Sequence, residues 1–357
     1  MLYQLLGAVF PAKAKSVEPR RIVLLRPCCI GDAVMATAAL SALRQTFPDA
    51  HISWAIGPWS ARAIAHHPAL DEIVDTDADM PLKSPVAFWR LVGLLRAGGY
   101  DMAISLVRSP LMSLAARLSG IPVRAGLDSR GRGFGYNLRV AVDPEAREHE
   151  SEIYLRVVSA MAGREVHAYA NLPVSAAPQA EVRSRLAAEN IAGPFVVAHP
   201  GGGVNPGARF DGKRFPLQKF AQILNRVAEA RGAGVILLGG PGDGDLTAEV
   251  ERRLTVPAVS WADRLTFPEI GALAAEALVY IGNDSGLTHL AAASGGETVM
   301  LMGPTDPLRY APYARDAIAL RVQGKQVTAH SAAQTDPLEW PEISKSVVRA
   351  VEDIVGG

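Results

Sequence analysis

The segment Leu278-Val-Tyr-Ile-Gly-Asn-Asp-Ser-Gly-Leu-Thr-His-Leu290 decides the fold class because three structural patterns follow one another in it. Leu278–Ile281 is a short apolar run, which predicts a buried strand. The Gly, Asn, Asp and Ser residues after it predict a turn, and the apolar spacing of Leu287–Ser294 predicts a helix. The next apolar run, Thr298–Met302, predicts another strand. A strand, a helix and a further strand in succession are typical of a parallel α/β sheet.

The same alternation runs through the rest of the chain and restarts after Leu172-Pro173, where the composition shifts to Ala, Pro and Gln. The pattern predicts two units, each a parallel sheet with helices on both faces, and 357 residues suffice for two domains. In the first half we predict strands at 21–25, 51–56, 72–75 and 102–106, and helices at 33–46, 60–66 and 86–97. In the second half we predict strands at 195–198, 234–238, 278–281 and 298–302, and helices at 179–189, 217–231, 267–276 and 287–294.

The predicted organisation has four parts. Residues 1–20 are an apolar and basic extension, 21–175 a first Rossmann-like domain, 176–340 a second, and 341–357 a closing helix that packs back across the first domain. In doubly wound sheets, ligands bind outside the carboxyl ends of the strands. Two such sheets facing each other would enclose a central cleft, so the residues that directly follow strands are the candidates for a site.

The composition excludes several classes of protein. Thirty-six basic residues balance thirty-six acidic ones, so the chain has no overall field that would attract nucleic acid. The only cysteines, Cys28 and Cys29, are adjacent, which excludes a disulfide framework and a structural zinc site. This cysteine usage favours a reducing, cytoplasmic location. No apolar run reaches the roughly 18–20 residues that a membrane span needs.

The first residues, Met1–Phe10, are apolar and are followed by Lys13, Lys15, Arg20 and Arg21. A secretory signal peptide has its basic residues before the apolar run, so we reject that interpretation. An apolar turn with basic residues behind it suits peripheral contact with the anionic inner leaflet of a membrane. The alternative is a leader, or a segment that packs on the body of the protein.

The turn after the strand at 278–281 has the clearest chemical signature. Ser285 or Asp284 can cap the next helix, whose free N–H groups around Gly286 and positive dipole end form an anion site. His289 lies about one turn into that helix and can add a hydrogen bond or a charge to the same anion, with Thr288 lining the cleft beside it. The alternative is an ordinary helix cap with a packed histidine.

The stretch Ala198-His-Pro-Gly-Gly-Gly-Val-Asn-Pro-Gly207 also follows a strand. Its Gly201 and Gly202 allow the backbone to approach a ligand closely. Lys213, shortly before the next helix, can reach the cleft as a point charge. A loop with unusual dihedral angles and a solvated lysine are the plain alternatives.

A third turn of the second half, Leu238-Gly-Gly-Pro-Gly-Asp-Gly-Asp245, follows the strand at 234–238. Either Asp243 or Asp245 can accept hydrogen bonds from ribose hydroxyls. The alternative is a polar turn without a ligand.

Three further turn residues and one carboxylate complete the candidates. Asp32, in the segment Arg26–Val34 after the first strand, is predicted in the first turn of a helix, with Gly31 beside it. It would face the cleft from the first domain, a position that favours a functional role only if the second domain delivers an electrophile opposite it. The alternative is a carboxylate that only complements the helix dipole. After the strand at 298–302, Thr305 and Asp306 would line the cleft, although prolines on both sides also suit a rigid turn.

Taken in order, these motifs resemble those of the heptosyltransferase-like glycosyltransferases, glycosyltransferase family 9, which includes the lipopolysaccharide core heptosyltransferases. The resemblance covers about residues 20–315. The matching motifs are Leu-Arg-x-x-x-x-Gly31-Asp32, His199-Pro-Gly, Lys213-Arg-Phe-Pro, Leu-Gly-Gly-Pro241, Gly282-Asn-Asp-Ser-Gly-Leu-Thr-His289 and Gly303-Pro-Thr-Asp-Pro307.

The resemblance implies a GT-B fold, with the acceptor in the first Rossmann-like domain and the sugar nucleotide in the second. It implies an inverting transfer of a sugar, heptose by family default, from ADP-heptose to a hydroxyl of a glycolipid or polysaccharide in lipopolysaccharide biosynthesis. No metal or other cofactor is obligatory in this mechanism. The implied roles are a base for Asp32, a phosphate ligand for Lys213, and the donor diphosphate and sugar site for Asp284, Ser285, Gly286 and His289.

The chain departs from the family at Gly201 and Gly202, where some members have hydroxyl residues, so that phosphate contact there falls to the backbone. Two other classes of protein remain as alternatives. One is a sugar-nucleotide epimerase of the same fold, and the other is a non-catalytic sugar-nucleotide-binding protein. Detection of transfer to an acceptor separates both from a glycosyltransferase, and the presence of Asp32 and Lys213 argues against the second.

Overall fold

The described part of the chain in the computed structural model comprises residues 3, 18–77, 82–205, 207–321 and 349–351. These residues form two compact units that divide between Ala170 and Asn171. The second unit begins slightly before the predicted residue 176 for a local reason. The Leu172 N–H donates to the Ala293 carbonyl at 2.7 Å, which ties this stretch to the second unit.

The described elements of the first unit are β1 (Arg21–Leu25), α1 (Ile30–Thr46), β2 (His51–Ile56), α2 (Pro58–Ile64), β3 (Glu72–Asp75), α3 (Pro85–Ala97), β4 (Met102–Ser105), α4 (Pro110–Leu118), β5 (Val123–Asp128), β6 (Leu138–Ala141) and α5 (Glu150–Ala162). The sheet has the order β3-β2-β1-β4-β5-β6, and all neighbours are parallel. The strand order reverses between β1 and β4. Loops that follow these two strands therefore diverge at a switch point, where ligands bind in such sheets.

The described elements of the second unit are α6 (Ala176–Ala188), β7 (Phe195–His199), β8 (Val204–Asn205), β9 (Ala208–Arg209), α7 (Leu217–Arg231), β10 (Gly234–Leu237), α8 (Gly244–Glu251), β11 (Ala258–Ser260), α9 (Phe267–Glu276), β12 (Val279–Asn283), α10 (Gly286–Ala293), β13 (Thr298–Met302), α11 (Pro307–Tyr310) and β14 (Ala317–Arg321). The main sheet is parallel in the order β11-β10-β7-β12-β13-β14. Its switch point lies between β7 and β12, so the loops after these strands start side by side.

Helices on both faces of each sheet explain why the central strands are apolar throughout. Every residue of β7, β12 and β13 is buried. Helix α7 repeats apolar residues at Phe220, Leu224 and Val227, and this face packs on the sheet while the other face is polar. The predicted fold class, two Rossmann-like parallel sheets, is confirmed.

Every predicted strand and helix up to residue 302 is present, with ends shifted by a few residues. The elements that the sequence pattern did not predict are mostly short or lie at sheet edges: α4, β5, β6, α5, β8, β9, α8, β11, α11 and β14.

Much of the predicted extension and of the closing helix lies outside the described residues. Within the extension, Tyr3 is described, and its ring stacks on Phe134 with centroids 6.2 Å apart. Within the predicted closing helix, residues 349–351 are described, and Val351 is buried in the core of the second unit. No helix in the described ranges has both the length and the apolar composition to span a membrane.

Candidate active site

One buried amide joins the loops at the switch point of the second sheet. Asn283, the last residue of β12, is fully buried. Its Oδ1 accepts the Phe215 N–H at 3.0 Å, and its Nδ2 donates to the carbonyls of Pro200 at 2.9 Å and Gly201 at 3.0 Å. The loop after β7, the start of α7 and the turn after β12 are thereby fixed to one another. The sequence analysis assigned no role to Asn283, although it lies only two residues after the apolar run Leu278–Ile281.

His199, at the end of β7, links two other parts of this site. Its Nδ1 lies 3.2 Å from the Ser285 Oγ, and its Nε2 lies 3.3 Å from the Asp243 Oδ2. The same Asp243 oxygen accepts the Gly240 N–H at 3.0 Å. Burial raises the pKa of Asp243, but hydrogen bonding and charge from His199, with smaller contributions from Gly240 and Arg214, outweigh it and lower the pKa below its ordinary value. Asp243 is therefore an ionised, inward-facing carboxylate.

The close packing around Asp243 explains two of the predicted glycines. A Cβ atom on Gly201 would lie 2.3 Å from the Asp243 Oδ2. Gly202 has a φ of +104°, and a Cβ atom there would lie 2.8 Å from the Ser285 Cβ. The glycines are thus required by the packing of the loop itself, whether or not its backbone also contacts a ligand.

Lys213 and Asp284 form a buried ion pair, with the Lys213 Nζ 2.8 Å from the Asp284 Oδ2 and side-chain exposures of 13% and 6%. The Thr305 hydroxyl donates to the same carboxylate oxygen at 2.5 Å. Burial raises the pKa of Asp284, but Lys213, then Thr305 and the buried His289, outweigh it and lower the pKa. The solvated-lysine alternative is therefore wrong. The Asp284 carboxylate is anionic and binds the Lys213 ammonium group. Its role is therefore to hold the lysine in place, and it does not bind phosphate directly.

The capping residue of α10 is Ser285, which settles the choice between Ser285 and Asp284. The Ser285 Oγ accepts the Thr288 N–H at 3.4 Å, and the Thr288 hydroxyl donates to the Asn283 carbonyl at 2.7 Å. The N–H groups of Gly286 and Leu287 belong to the first turn and have no acceptor within the helix. This helix N-terminus lies next in the chain to the ion pair of Asp284, so it is suited to an anion.

The two candidate ribose ligands differ in their surroundings. The Asp243 carboxylate already forms hydrogen bonds with the His199 ring and the Gly240 N–H. Asp245, in the first turn of α8, lines an open cavity of about 360 Å³ together with Gly240, Gly242, Gly244, Ala262 and Asp263. Asp306 serves as the cap of α11, since its Oδ1 accepts the Leu308 N–H at 3.1 Å.

In the first unit, Asp32 lies in the first turn of α1, as predicted, beside Gly31. Its Oδ2 is 2.5 Å from a terminal nitrogen of Arg26, and the side chain is one quarter exposed (26%). The Arg26 guanidinium lies over the Tyr154 ring at 5.7 Å. Burial lowers the pKa of Arg26, but Asp32 and, more weakly, Tyr154 and Glu150 outweigh it and raise the pKa, so this guanidinium stays charged.

A second ion pair lies near this carboxylate. Arg108 follows β4, the other strand of the switch point, and its guanidinium binds the buried Glu150 at 2.9 and 3.0 Å. The charges of Glu150 and Arg108 both act on the Tyr154 hydroxyl, as does that of Asp32. The sequence analysis missed Arg26, Arg108 and Glu150. The available signal was position after a strand, which Arg26 has after β1 and Arg108 has after β4.

Within the described residues, no group of three or more His, Cys, Asp or Glu side chains is arranged to hold a metal ion. The two cysteines, Cys28 and Cys29, form no disulfide. Cys29 immediately precedes α1 and has a φ of +76°, a rare conformation for a residue with a side chain.

Comparisons with known proteins agree with this geometry. Residues 88–339 match glycosyltransferase family 9 (heptosyltransferase). The chain is 25% identical over 295 residues to the lipopolysaccharide heptosyltransferase 3 of Escherichia coli, which covers 81% of this chain and 85% of that protein. A family 9 glycosyltransferase from Veillonella parvula DSM 2008 has a similar structure, with a TM-score of 0.76, 19% identity and coverage of 94% and 97%. The E. coli ADP-heptose lipopolysaccharide heptosyltransferase II gives a TM-score of 0.70, 20% identity and coverage of 94% and 98%.

These structural neighbours have the GT-B fold, which the two parallel sheets of this chain share. The family match spans well over half of the 357 residues and includes Lys213, Asp284 and His289. The chain therefore belongs to glycosyltransferase family 9, the heptosyltransferase family, and is a glycosyltransferase.

Proposed function

We propose that this protein transfers a heptose from ADP-heptose, with inversion, to a hydroxyl of a glycolipid or polysaccharide acceptor of lipopolysaccharide biosynthesis. The observation that carries the proposal is the buried Lys213–Asp284 pair beside the N-terminus of α10. The names of the E. coli relatives, an ADP-heptose enzyme and a lipopolysaccharide heptosyltransferase, supply the donor and the acceptor class.

The donor diphosphate binds at the N-terminus of α10. Lys213 uses one of its three N–H groups for Asp284, which leaves two for phosphate oxygens. The N–H groups of Gly286 and Leu287 and the hydroxyl of Ser285 complete the set of donors. Asp284 acts as a positioning residue, because its carboxylate forms an ion pair with the Lys213 ammonium group and so fixes where that group lies.

The nucleoside occupies the cavity next to α8, where Asp245 accepts hydrogen bonds from the ribose hydroxyls. Asp243 supports this site from inside, because it fixes His199 and the Gly240 turn. His289, buried on α10, adds positive character near the diphosphate and the sugar.

The reaction is a direct displacement at the anomeric carbon. Asp32 accepts the proton of the acceptor hydroxyl as its oxygen forms the new glycosidic bond, and the bond from the anomeric carbon to the diphosphate breaks. The electron pair of that bond leaves with ADP, whose added negative charge is stabilised by Lys213 and the N-terminus of α10. These groups supply the charge stabilisation, so the proposed mechanism has no obligatory metal. Arg26 holds the Asp32 carboxylate in place.

The test is an assay of purified protein with ADP-heptose and a heptose-deficient lipopolysaccharide core, analysed by mass spectrometry. We expect a product heavier by one heptose, with ADP released in equal amount. Conversion of the free sugar nucleotide without transfer would instead indicate an epimerase, and binding of ADP-heptose without turnover would indicate a non-catalytic protein. Neither the family nor the E. coli relatives named above favour an epimerase. A cytoplasmic location follows from the proposed donor, with peripheral membrane contact where the acceptor is a glycolipid.

A further inference from the structure

The outer faces of α3 and α4, two neighbouring helices of the first unit, carry exposed apolar side chains. Val86 and Trp89 on α3 are 79% and 60% exposed, and Leu111 at the start of α4 is 44% exposed. Residues three apart lie side by side on a helix, so Val86 and Trp89 form one patch. Among the described residues, six large apolar side chains are at least 44% exposed, and three of them belong to this pair of helices.

The exposed patch is separate from the apolar faces by which the same two helices pack into the core of the first unit. Leu91, Val92 and Leu95 of α3 and Met112 and Ala115 of α4 pack into the core of the first unit. Both helices therefore already have a buried apolar face that accounts for their stability. The exposed apolar residues lie outside that face and need a separate explanation.

The chain around the patch carries more positive than negative charge, although the whole protein is neutral. Residues 82–124 contain six Lys or Arg residues and one acidic residue, Asp101, although Arg90 and Arg108 are paired with Asp77 and Glu150 from outside this range. Asp101 is occupied in accepting the backbone N–H groups of Arg20 and Arg21.

Cations also flank the apolar stripe along α3. Lys83 precedes Val86, and Arg96 is exposed near the carboxyl end of the helix. Arg90 follows Trp89 and is paired with Asp77, while Arg96 donates to the Leu118 carbonyl at 2.8 Å. Neither α3 nor α4 contains an Asp or Glu residue.

We propose that this α3–α4 face, defined by Val86, Trp89, Leu111, Lys83 and Arg96, docks on an anionic lipid bilayer. Aliphatic side chains gain by leaving water for the acyl boundary, and the amphipathic indole of Trp89 suits the headgroup region. Lys and Arg next to them are attracted by the negative surface potential of anionic lipids. A protein partner would explain the apolar patch equally well, but the excess of positive charge favours lipid headgroups.

The experiment uses the full chain without donor or acceptor, so its result does not depend on the proposed transfer reaction. Co-sedimentation is measured with vesicles of phosphatidylglycerol and phosphatidylcholine, and with vesicles of phosphatidylcholine alone. We expect binding to the anionic vesicles that salt weakens. Val86→Ser with Trp89→Ser is expected to weaken binding by about tenfold or more. The double variant Lys83→Gln, Arg96→Gln is expected to weaken binding by a similar factor, but only to the anionic vesicles.

Two matched controls show whether position matters. Tyr169→Ser removes another exposed large side chain of the first unit, and Lys219→Gln with Arg226→Gln removes two exposed cations of α7. Both are expected to bind vesicles like the unaltered protein. Melting temperature and circular dichroism establish that each variant is folded.

A spectroscopic measurement keeps the proposal testable even where the serine variant is unstable. Brominated acyl chains should quench part of the tryptophan fluorescence, and Trp89→Phe, which keeps an apolar ring, should remove that part. The measurement is made on protein that carries Trp59→Phe and Trp340→Phe. Apart from Trp89, the two remaining tryptophans, Trp54 and Trp261, are fully buried and are expected to contribute little. The proposal is overturned if quenching persists in Trp89→Phe, if the serine and control variants bind alike, or if the patch mediates self-association in place of vesicle binding.

Discussion

The carboxylate of Asp32 has two interpretations that one substitution separates. Asp32→Asn keeps the shape of the side chain but removes its ability to accept the proton of the acceptor. General-base catalysis is typically worth about 10²–10⁴ in rate, so we expect kcat to fall by at least ~100-fold. ADP affinity should stay constant in calorimetry, because the proposed phosphate and ribose ligands belong to the second unit.

If Asp32 only complements the dipole of α1, the same variant should lose roughly 0.3–1 kcal/mol of stability and remain active. Near-normal turnover by folded Asp32→Asn would therefore refute the proposed mechanism while leaving the family and the fold intact.

The Lys213–Asp284 pair gives the second prediction at this scale. Lys213→Ala should weaken ADP binding about ten- to a hundred-fold, the value of one or two charge-assisted hydrogen bonds. His289→Ala should also weaken ADP binding, because His289 lies in the same helix N-terminal region and close enough to Asp284 to lower the pKa of its carboxyl. The matched control is Lys219→Ala, an exposed lysine on α7. Calorimetry with ADP measures all three.

Asp284→Asn distinguishes a positioning role from simple repulsion of the ligand. If Asp284 holds Lys213 in place, the variant should bind ADP more weakly, although the Thr305 hydrogen bond remains possible. Tighter binding of ADP by Asp284→Asn would show that the carboxylate only opposes the anion.

At the scale of single elements, the loop after β7 depends on Gly202. Its φ of +104° and the 2.8 Å approach of a Cβ atom to Ser285 both oppose any other residue. Gly202→Ala should lower the free energy of unfolding by about 1–3 kcal/mol. Gly193→Ala is the control, because no atom lies within 4 Å of its added Cβ and its φ is not positive.

Chemical denaturation of both glycine variants tests this expectation. Gly193→Ala should be neutral or slightly stabilising, since alanine restricts the unfolded chain. Equal stability of the two variants would mean that the loop relaxes without cost, and that its tight packing does not define the site.

At the scale of the whole molecule, the second unit should bind the donor nucleotide by itself. It has its own hydrophobic core, and all the proposed phosphate and ribose ligands lie between His199 and Asp306. A fragment of residues 171–357 is expected to bind ADP in calorimetry and to transfer nothing, because Asp32 is missing. A well-folded fragment without ADP affinity would contradict the assignment of the donor site.

The two buried carboxylates also predict how stability depends on pH. The pKa values of Asp243 and Asp284 are lowered in the folded protein from a value of 3.8. Their stabilising effect is therefore complete above the unfolded pKa and is lost as the pH falls through the lower, folded pKa. Glu297, whose pKa burial raises, acts in the opposite direction.

We therefore expect urea midpoints to drop steeply below about pH 4, where unfolded aspartates begin to take up protons. Asp284→Asn should show a shallower drop over this range than the unaltered protein. A variant as acid-sensitive as the unaltered protein would place the responsible carboxylates elsewhere.

The sequence by itself determined the parallel sheets, because their central strands are continuous apolar runs separated by helices with a polar face. It also determined which residues follow strands, and with them the positions of Asp32 and Ser285. The pattern failed at sheet edges: β6 and β11 are only half-buried, so they lack the apolar run that marks a strand. Short helices such as α8 and α11 have too few turns for the helical repeat of apolar residues to be recognised in the sequence.

Only the tertiary structure decided how the candidate residues are paired. The order of the strands places β7 beside β12, and this brings together His199 and Ser285, which are 86 residues apart, and Asn283 and Gly201, 82 apart. Strand order across a sheet leaves no local trace in the chain, so no pattern of spacing shows which loops meet. For that physical reason the sequence alone left Asp284 as a candidate ligand, and the fold made it the partner of Lys213.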